Sequence, residues 1–168
     1  MKKDIINNFI FFISYFLLIT LVKRYFSFSF WPFWIGGVVG LFLANIDHLL
    51  HIFVFKPYEL TSQRVNSLVK NKRIKEALIL LYDTRNERTG LIFHTLNFQI
   101  IFLILTFWLL SSSGNLFGRG LVLSFFLNLV IYLLRKLISG EIILIDKDKS
   151  KLYFFGLVLT LFIFGLLF

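Results

Sequence analysis

The stretch WPFWIGGVVGLFLANIDHLLHIFVF, residues 31–55, decides the fold, because it is apolar over more than the length needed to cross a bilayer. A spanning helix needs about 20 consecutive, mainly apolar residues. Trp31 and Trp34 stand near its start, and aromatic rings favour the boundary between lipid chains and headgroups. The stretch therefore predicts a membrane-spanning helix, within which polar residues such as Asp47 are unexpected.

The composition of the whole chain favours the same environment. Of its 168 residues, 58% are hydrophobic and only 16% are charged, whereas soluble domains are about one quarter charged. The net charge of +9 comes from residues that flank apolar runs rather than from one basic face, so we expect no nucleic-acid partner. The absence of Cys excludes disulfides, thiolate metal sites and Cys nucleophiles.

The apolar runs predict an all-α, polytopic transmembrane helical bundle that forms a single integral membrane domain over residues 1–168. About five spans are expected, at residues 5–22, 31–55, 91–110, 116–138 and 152–168. Lys23 and Arg24 close the first run and no small-residue cleavage site follows it, which favours an uncleaved span over a signal peptide. The last run is short and has no charged anchor at its end, so partial or re-entrant insertion is an alternative there.

The distribution of positive charge predicts the orientation of these spans. With five spans, every Lys and Arg except Lys23, Arg24 and Arg119 falls on one side of the membrane. The side richer in Lys and Arg is normally cytoplasmic. We therefore expect a multi-pass protein of the inner membrane with a cytoplasmic N-terminus and an external C-terminus.

The cytoplasmic loop, residues 56–90, shows apolar residues at helical spacing and predicts two short amphipathic helices. Thr61 or Ser62 is the expected N-cap of the first. The polar faces contain a group of basic residues, Lys70, Lys72, Arg73 and Lys75. Such a loop suits anionic headgroups of the lipid bilayer, although a solvated linker is the alternative. Protein partners cannot be named from the sequence.

Asp47, His48 and His51 form a polar group in the second predicted span. An ionised Asp at a helix centre costs about 2.5 to 3.5 kcal/mol, so it is expected to face protein, water or a metal. Asp47 and His51 are one helical turn apart and share a face. His94 begins the third span, which starts on the side where the second ends. All three His residues of the chain thus converge on one layer with Asp47.

Three interpretations of this cluster remain open. Carboxylate and neutral imidazole are ligands for Zn, Mn or Fe in hydrolytic sites. Alternatively, Asp47 ties helices together without any reaction. A proton or ion relay is the third possibility. Asn128 and Tyr132, one turn apart in the fourth span, could approach the same cluster.

Two segments resemble motifs of the bacterial membrane-bound metal-dependent hydrolases. The stretch from Gly40 to Leu50, GLFLANIDHLL, is similar to the family's glycine-rich segment leading to Pro-Asp-x-Asp-His, with Asn45 in place of the first Asp. The stretch from Glu87 to Thr95, ERTGLIFHT, is similar to its later His motif. A further family pair, His and Asp four residues apart, would fall on Asn128 and Tyr132.

The resemblance implies a function. It implies a divalent metal held by Asp47, His51 and His94, with His48 as a further candidate, and hydrolysis of a lipid-linked ester at the cytoplasmic leaflet. Supporting positions would be Asn45, Asn128 and Tyr132. No catalytic residue is assigned, and whether the chain is an enzyme stays open. The segment ELTSQR at residues 59–64 also resembles small uncharacterised bacterial membrane proteins. The competing hypothesis is a non-catalytic membrane scaffold or partner protein.

Overall fold

The structure, a computed structural model, describes residues 2–43, 46–84, 91–112, 114–140 and 146–167. Every regular element in these ranges is helical, so the all-α prediction is confirmed. The α-helices are α1 (Lys2–Lys23), α2 (Trp31–Leu43), α3 (Ile46–Leu50), α4 (Leu60–Lys70), α5 (Ile74–Asp83), α6 (Leu96–Ser112), α7 (Leu116–Ile138) and α8 (Lys147–Leu167). A 3-10 turn, Phe28–Phe30, precedes α2, and a π-helical turn, His51–Phe55, follows α3.

Four of these helical stretches are long and apolar enough to cross a membrane, namely Ile6–Lys23, Phe28–Phe55, Leu116–Ile138 and Asp148–Leu167. The third predicted span differs from its expected bounds, because residues 91–95 form turns and the apolar helix α6 begins only at Leu96. The last predicted span begins earlier than expected, since α8 starts at Lys147. The count of five spans therefore stays a prediction.

Helices α2 and α7 make the most extensive contact between any two elements. Glycines bring their backbones together. A Cβ built on Gly36 would collide with the carbonyl oxygen of Phe117, and one on Gly120 with the carbonyl oxygen of Phe33. A Cβ on Gly40 would meet the backbone of Leu121 in the same way. Small residues allow this close approach, which is how helices associate where lipid leaves little hydrophobic driving force.

The other long helices pack around this α2–α7 pair. The Phe16 ring of α1 stacks on Phe33 of α2 with centroids 4.7 Å apart. Tyr15 of α1 donates a hydrogen bond of 2.8 Å to the carbonyl oxygen of Leu161 in α8. That carbonyl is already part of a helix, so the bond adds a specific link between the two helices. The main core of the protein thus lies among α1, α2, α7 and α8.

Helices α4 and α5 form an antiparallel hairpin with a small core of its own. Ile52, Val65 and Ala77 are fully buried together, so the hairpin packs against the π-helical turn. The capping prediction for α4 was wrong: the helix begins at Leu60, and no side chain caps it. Thr61 and Ser62 instead lie inside its first turn. The Ser62 hydroxyl is buried, and it has no hydrogen-bond partner among the residues described.

Candidate functional site

Asp47 is the centre of the candidate site, and its side chain is only 1% exposed. Its Oδ1 accepts a hydrogen bond of 3.2 Å from the backbone N–H of Ile92, and its Oδ2 accepts one of 2.8 Å from that of Phe93. Both donors precede α6 and lie in turns, where a backbone N–H has no helical acceptor. The buried carboxylate and the two otherwise unpaired N–H groups therefore satisfy each other.

His94 adds a third hydrogen bond to the same carboxylate, since its Nδ1 lies 3.1 Å from Oδ2 of Asp47. Because the carboxylate accepts, Nδ1 is the donor, and in a neutral ring Nε2 is left without a proton. The ring packs edge-on against Tyr132 of α7 with centroids 4.0 Å apart. His48 lies nearby, with its ring centroid 6.0 Å from that of His94. The convergence of Asp47 and His94 is thus present in the structure.

A chain of hydrogen bonds continues from His94 into the apolar helices α6 and α8. The Gln99 side chain, 1% exposed, donates from Nε2 to the carbonyl oxygen of His94 at 3.3 Å. Its Oε1 accepts a hydrogen bond of 2.9 Å from the hydroxyl of Tyr153 in α8. Sequence reasoning missed Tyr153. A Gln in an apolar helix does indicate a polar partner, but nothing in the sequence identifies one 54 residues away.

His51 belongs to a second, separate group. Its Nε2 lies 3.3 Å from Oε2 of Glu59, and Lys56 pairs with the other oxygen of Glu59 at 2.9 Å. This geometry arises because the π-helical turn ends at Phe55, and the N–H of the next residue, Lys56, donates to the carbonyl oxygen of His51. Sharing a helical face did not bring His51 to the carboxylate of Asp47. Glu59, which accepts its hydrogen bond, was not anticipated.

The charge at Glu59 is stabilised by this arrangement. The hydrogen bond from Lys56 chiefly holds the pKa of the Glu59 carboxyl below its usual value. Desolvation opposes this shift, while the hydrogen bond with His51 makes a smaller contribution that adds to it. Glu59 therefore keeps its negative charge, and with it the link to His51, at pH values where an ordinary Glu begins to take up a proton.

The supporting positions have different surroundings. Asn128 donates from Nδ2 to the carbonyl oxygen of Leu41 at 3.0 Å and so links α7 to α2 rather than to the Asp47 carboxylate. Tyr132 does reach the cluster, through its contact with His94. Asn45 lies outside the described residues, as do residues 87–90 of the segment that resembles the family's His motif.

The arrangement fits hydrogen bonding better than metal ligation. Three of about four lone-pair positions on the Asp47 carboxylate are occupied by N–H donors. His51 faces a different carboxylate. Across the parts of the chain that the structure describes, no group of three or more His, Asp or Glu residues could hold a metal ion.

Comparisons with protein-family models, characterised proteins and solved structures found no match to this chain. The resemblance to membrane-bound metal-dependent hydrolases therefore stays a prediction that rests on the two quoted segments.

Proposed function

We propose that this chain is an integral membrane protein with a non-catalytic, scaffolding function, in which the Asp47 cluster holds helices together. One observation supports the proposal above the others: both carboxylate oxygens of Asp47 accept backbone N–H groups just ahead of α6. A carboxylate that accepts two backbone N–H groups holds the turn that contains them in place. The link from His94 through Gln99 to Tyr153 extends the same function to α8.

The energetics support a structural function for Asp47. Removing one partner from a buried hydrogen bond leaves the other unsatisfied, at a cost of about 1 to 3 kcal/mol. Truncation of Asp47 would leave two backbone N–H groups and the Nδ1–H of His94 without their acceptor. Measured side-chain hydrogen bonds between membrane helices average less, about 0.6 kcal/mol, because the separated helices find other partners. Backbone donors in turns have fewer such alternatives.

The test compares stability and metal content in purified protein. We expect Asp47→Ala to lower the free energy of unfolding by about 1 to 3 kcal/mol, and His94→Ala to lower it less, since one hydrogen bond is lost instead of three. Asp148→Ala is the matched control, because that carboxylate is exposed and, within the described part of the chain, pairs with Lys151 at the surface. Thermal unfolding in detergent and elemental analysis for Zn, Mn and Fe would be measured on each variant.

The same measurements address the second candidate, a metal-dependent hydrolase acting on a lipid-linked ester at the cytoplasmic leaflet. It is favoured by the position of His48, since Asp47 and His48 both lie beside His94. That function requires stoichiometric metal in the wild type, lost in Asp47→Ala and His48→Ala. Such a result, with a melting temperature raised by added Zn or Mn, would reject the scaffold proposal.

We also propose that the protein lies in the inner membrane with its N-terminus in the cytoplasm and its C-terminus outside. The concentration of Lys and Arg in the N-terminus, in residues 56–90 and after Arg135 supports this orientation. The α4–α5 hairpin would then face the cytoplasm.

A further inference from the structure

The α4–α5 hairpin is held at the end of an apolar helical stretch. Ile52, in the last turn of Phe28–Phe55, is fully buried against Val65 and Ala77 of the hairpin. Glu59, just ahead of α4, is linked to His51 of the same turn. If residues 28–55 cross the bilayer, these contacts fix the hairpin at the level where the apolar stretch ends, which is the membrane surface.

One face of α5 is apolar and uncovered. Ile74 and Leu78, one helical turn apart, are 50% and 58% exposed. At about 100° per residue, Ala77 and Leu81 turn to the hairpin core, while Glu76 and Asp83 lie roughly opposite the exposed pair. The helix thus has an exposed apolar edge that adjoins its core side and lies roughly opposite its acidic residues.

The charges beside this edge are positive. Lys70, Lys72 and Lys75 are exposed, and none has an ion-pair partner in the ranges that the structure describes. Arg73 is different, because it pairs with Glu76 at 2.6 Å. Helix α4 contains no acidic residue. The hairpin tip therefore presents unneutralised ammonium groups next to exposed aliphatic side chains.

We propose that the α4–α5 hairpin binds anionic lipid headgroups, with Ile74 and Leu78 inserted among the outer parts of the lipid chains. A helix in the plane of the interface has this combination of an apolar edge and flanking Lys residues. Juxtamembrane Lys residues are attracted to the negative surface of an anionic leaflet. The ammonium groups of Lys70, Lys72 and Lys75 complement the negative charge of the headgroups. The contacts with Ile52 hold the hairpin where the apolar stretch ends. The proposal goes beyond the scaffold function and does not depend on Asp47.

The absence of Cys from the chain allows a direct test. Leu78→Cys introduces a single thiol for a nitroxide spin label, and the full chain is reconstituted in nanodiscs of phosphatidylcholine with or without phosphatidylglycerol. In the anionic discs, we expect a several-fold higher ratio of collisions with oxygen to collisions with a water-soluble nickel complex. Replacing Lys70, Lys72 and Lys75 by Gln should remove most of this increase.

A label at Asp83→Cys is the matched control, since it lies on the other face of α5 and should stay accessible to water in both lipids. The proposal is overturned if the Leu78 label is as accessible to the nickel complex as the Asp83 label in anionic discs. It is also overturned if the Leu78 label is equally shielded in discs of phosphatidylcholine alone, because the shielding would then not depend on anionic headgroups. An unchanged melting temperature shows that each labelled variant is folded.

Discussion

At the scale of single residues, the two carboxylates with structural roles differ in what they hold. Asp47 is buried and accepts from backbone N–H groups, whereas Glu59 is accessible and accepts from the side chains of Lys56 and His51. The hydrogen bond from Lys56 chiefly lowers the pKa of Glu59. A buried acceptor of this kind affects stability, while an accessible one adds dependence on pH.

The pH dependence follows from the lowered pKa of Glu59. A carboxyl whose pKa is lower in the folded than in the unfolded protein stabilises the fold above its unfolded pKa, and this contribution disappears as the pH falls through the folded value. We therefore expect the melting temperature of the wild type to fall on acidification below about pH 4, the usual range of Glu. The melting temperature of Glu59→Gln should fall less over the same change in pH.

The measurement is thermal unfolding in detergent between neutral and acid pH. Asp148→Asn is the control for loss of one negative charge, since that carboxylate pairs with Lys151 far along the chain from the hairpin. If Glu59→Gln and the wild type lose the same number of degrees on acidification, the contacts of Glu59 with Lys56 and His51 make no contribution to stability.

Residues such as these show how far the candidate site could be predicted. The pairing of Asp47 with His94 was foreseen because both are polar in apolar surroundings and topology brings them to one layer. Glu59 was not foreseen as the acceptor for His51, because helical periodicity does not indicate that the chain turns back at Lys56. Hydropathy identifies polar residues that need a partner, but not the partner.

At the scale of elements, the closest helix contact depends on residues that have no side chain. Helical character follows from hydropathy, which is why the sequence predicts the apolar helices well. The pairing of α2 with α7 depends on Gly36, Gly40 and Gly120. The spacing of Gly36 and Gly40 is a known signal for helix association. That spacing alone does not identify which helix is the partner.

The glycine contact makes a sharp prediction. We expect Gly36→Ala to lower the free energy of unfolding by roughly 1 to 3 kcal/mol, because its Cβ would displace the backbone of α7 at Phe117. Gly156→Ala in α8 is the matched control: nothing lies within 4 Å of its Cβ, and Ala has the higher helix propensity. Unfolding in detergent would be followed by circular dichroism.

The result is informative in either direction. Gly156→Ala should leave stability unchanged or slightly raise it. Equal stability of the Gly36→Ala protein and its control would mean that α2 and α7 do not touch backbone to backbone.

At the scale of the whole molecule, the length of α6 decides the number of spans. The other four apolar stretches reach the length of a span, but α6 covers only Leu96–Ser112 because Asp47 holds the preceding residues in turns. Arg119 donates to the carbonyl oxygen of Leu110 at 3.2 Å and so caps the far end of α6. The sequence alone overestimates the length of this helix, because the apolar run begins at Leu91 whereas α6 begins at Leu96.

Reporter fusions would distinguish the two topologies. With five spans the C-terminus is external. We then expect alkaline phosphatase fused after Phe168 to be active and a fluorescent protein fused there to give no fluorescence. Fusions within residues 71–73, in the turn between α4 and α5, should give the cytoplasmic result and serve as the control. A cytoplasmic C-terminus would show that one apolar helix, α6 by its length, does not cross.

The contact between Asp47 and residues 92–94 also has a consequence for biosynthesis. Chains are made from the N-terminus, so Asp47 is synthesised before Ile92, Phe93 and His94 exist to donate to it. Until then, a carboxylate in an apolar helix is stable only where water reaches it. We expect the helix around Asp47 to stay in a hydrated part of the translocation machinery until translation passes His94, and then to enter the lipid together with α6.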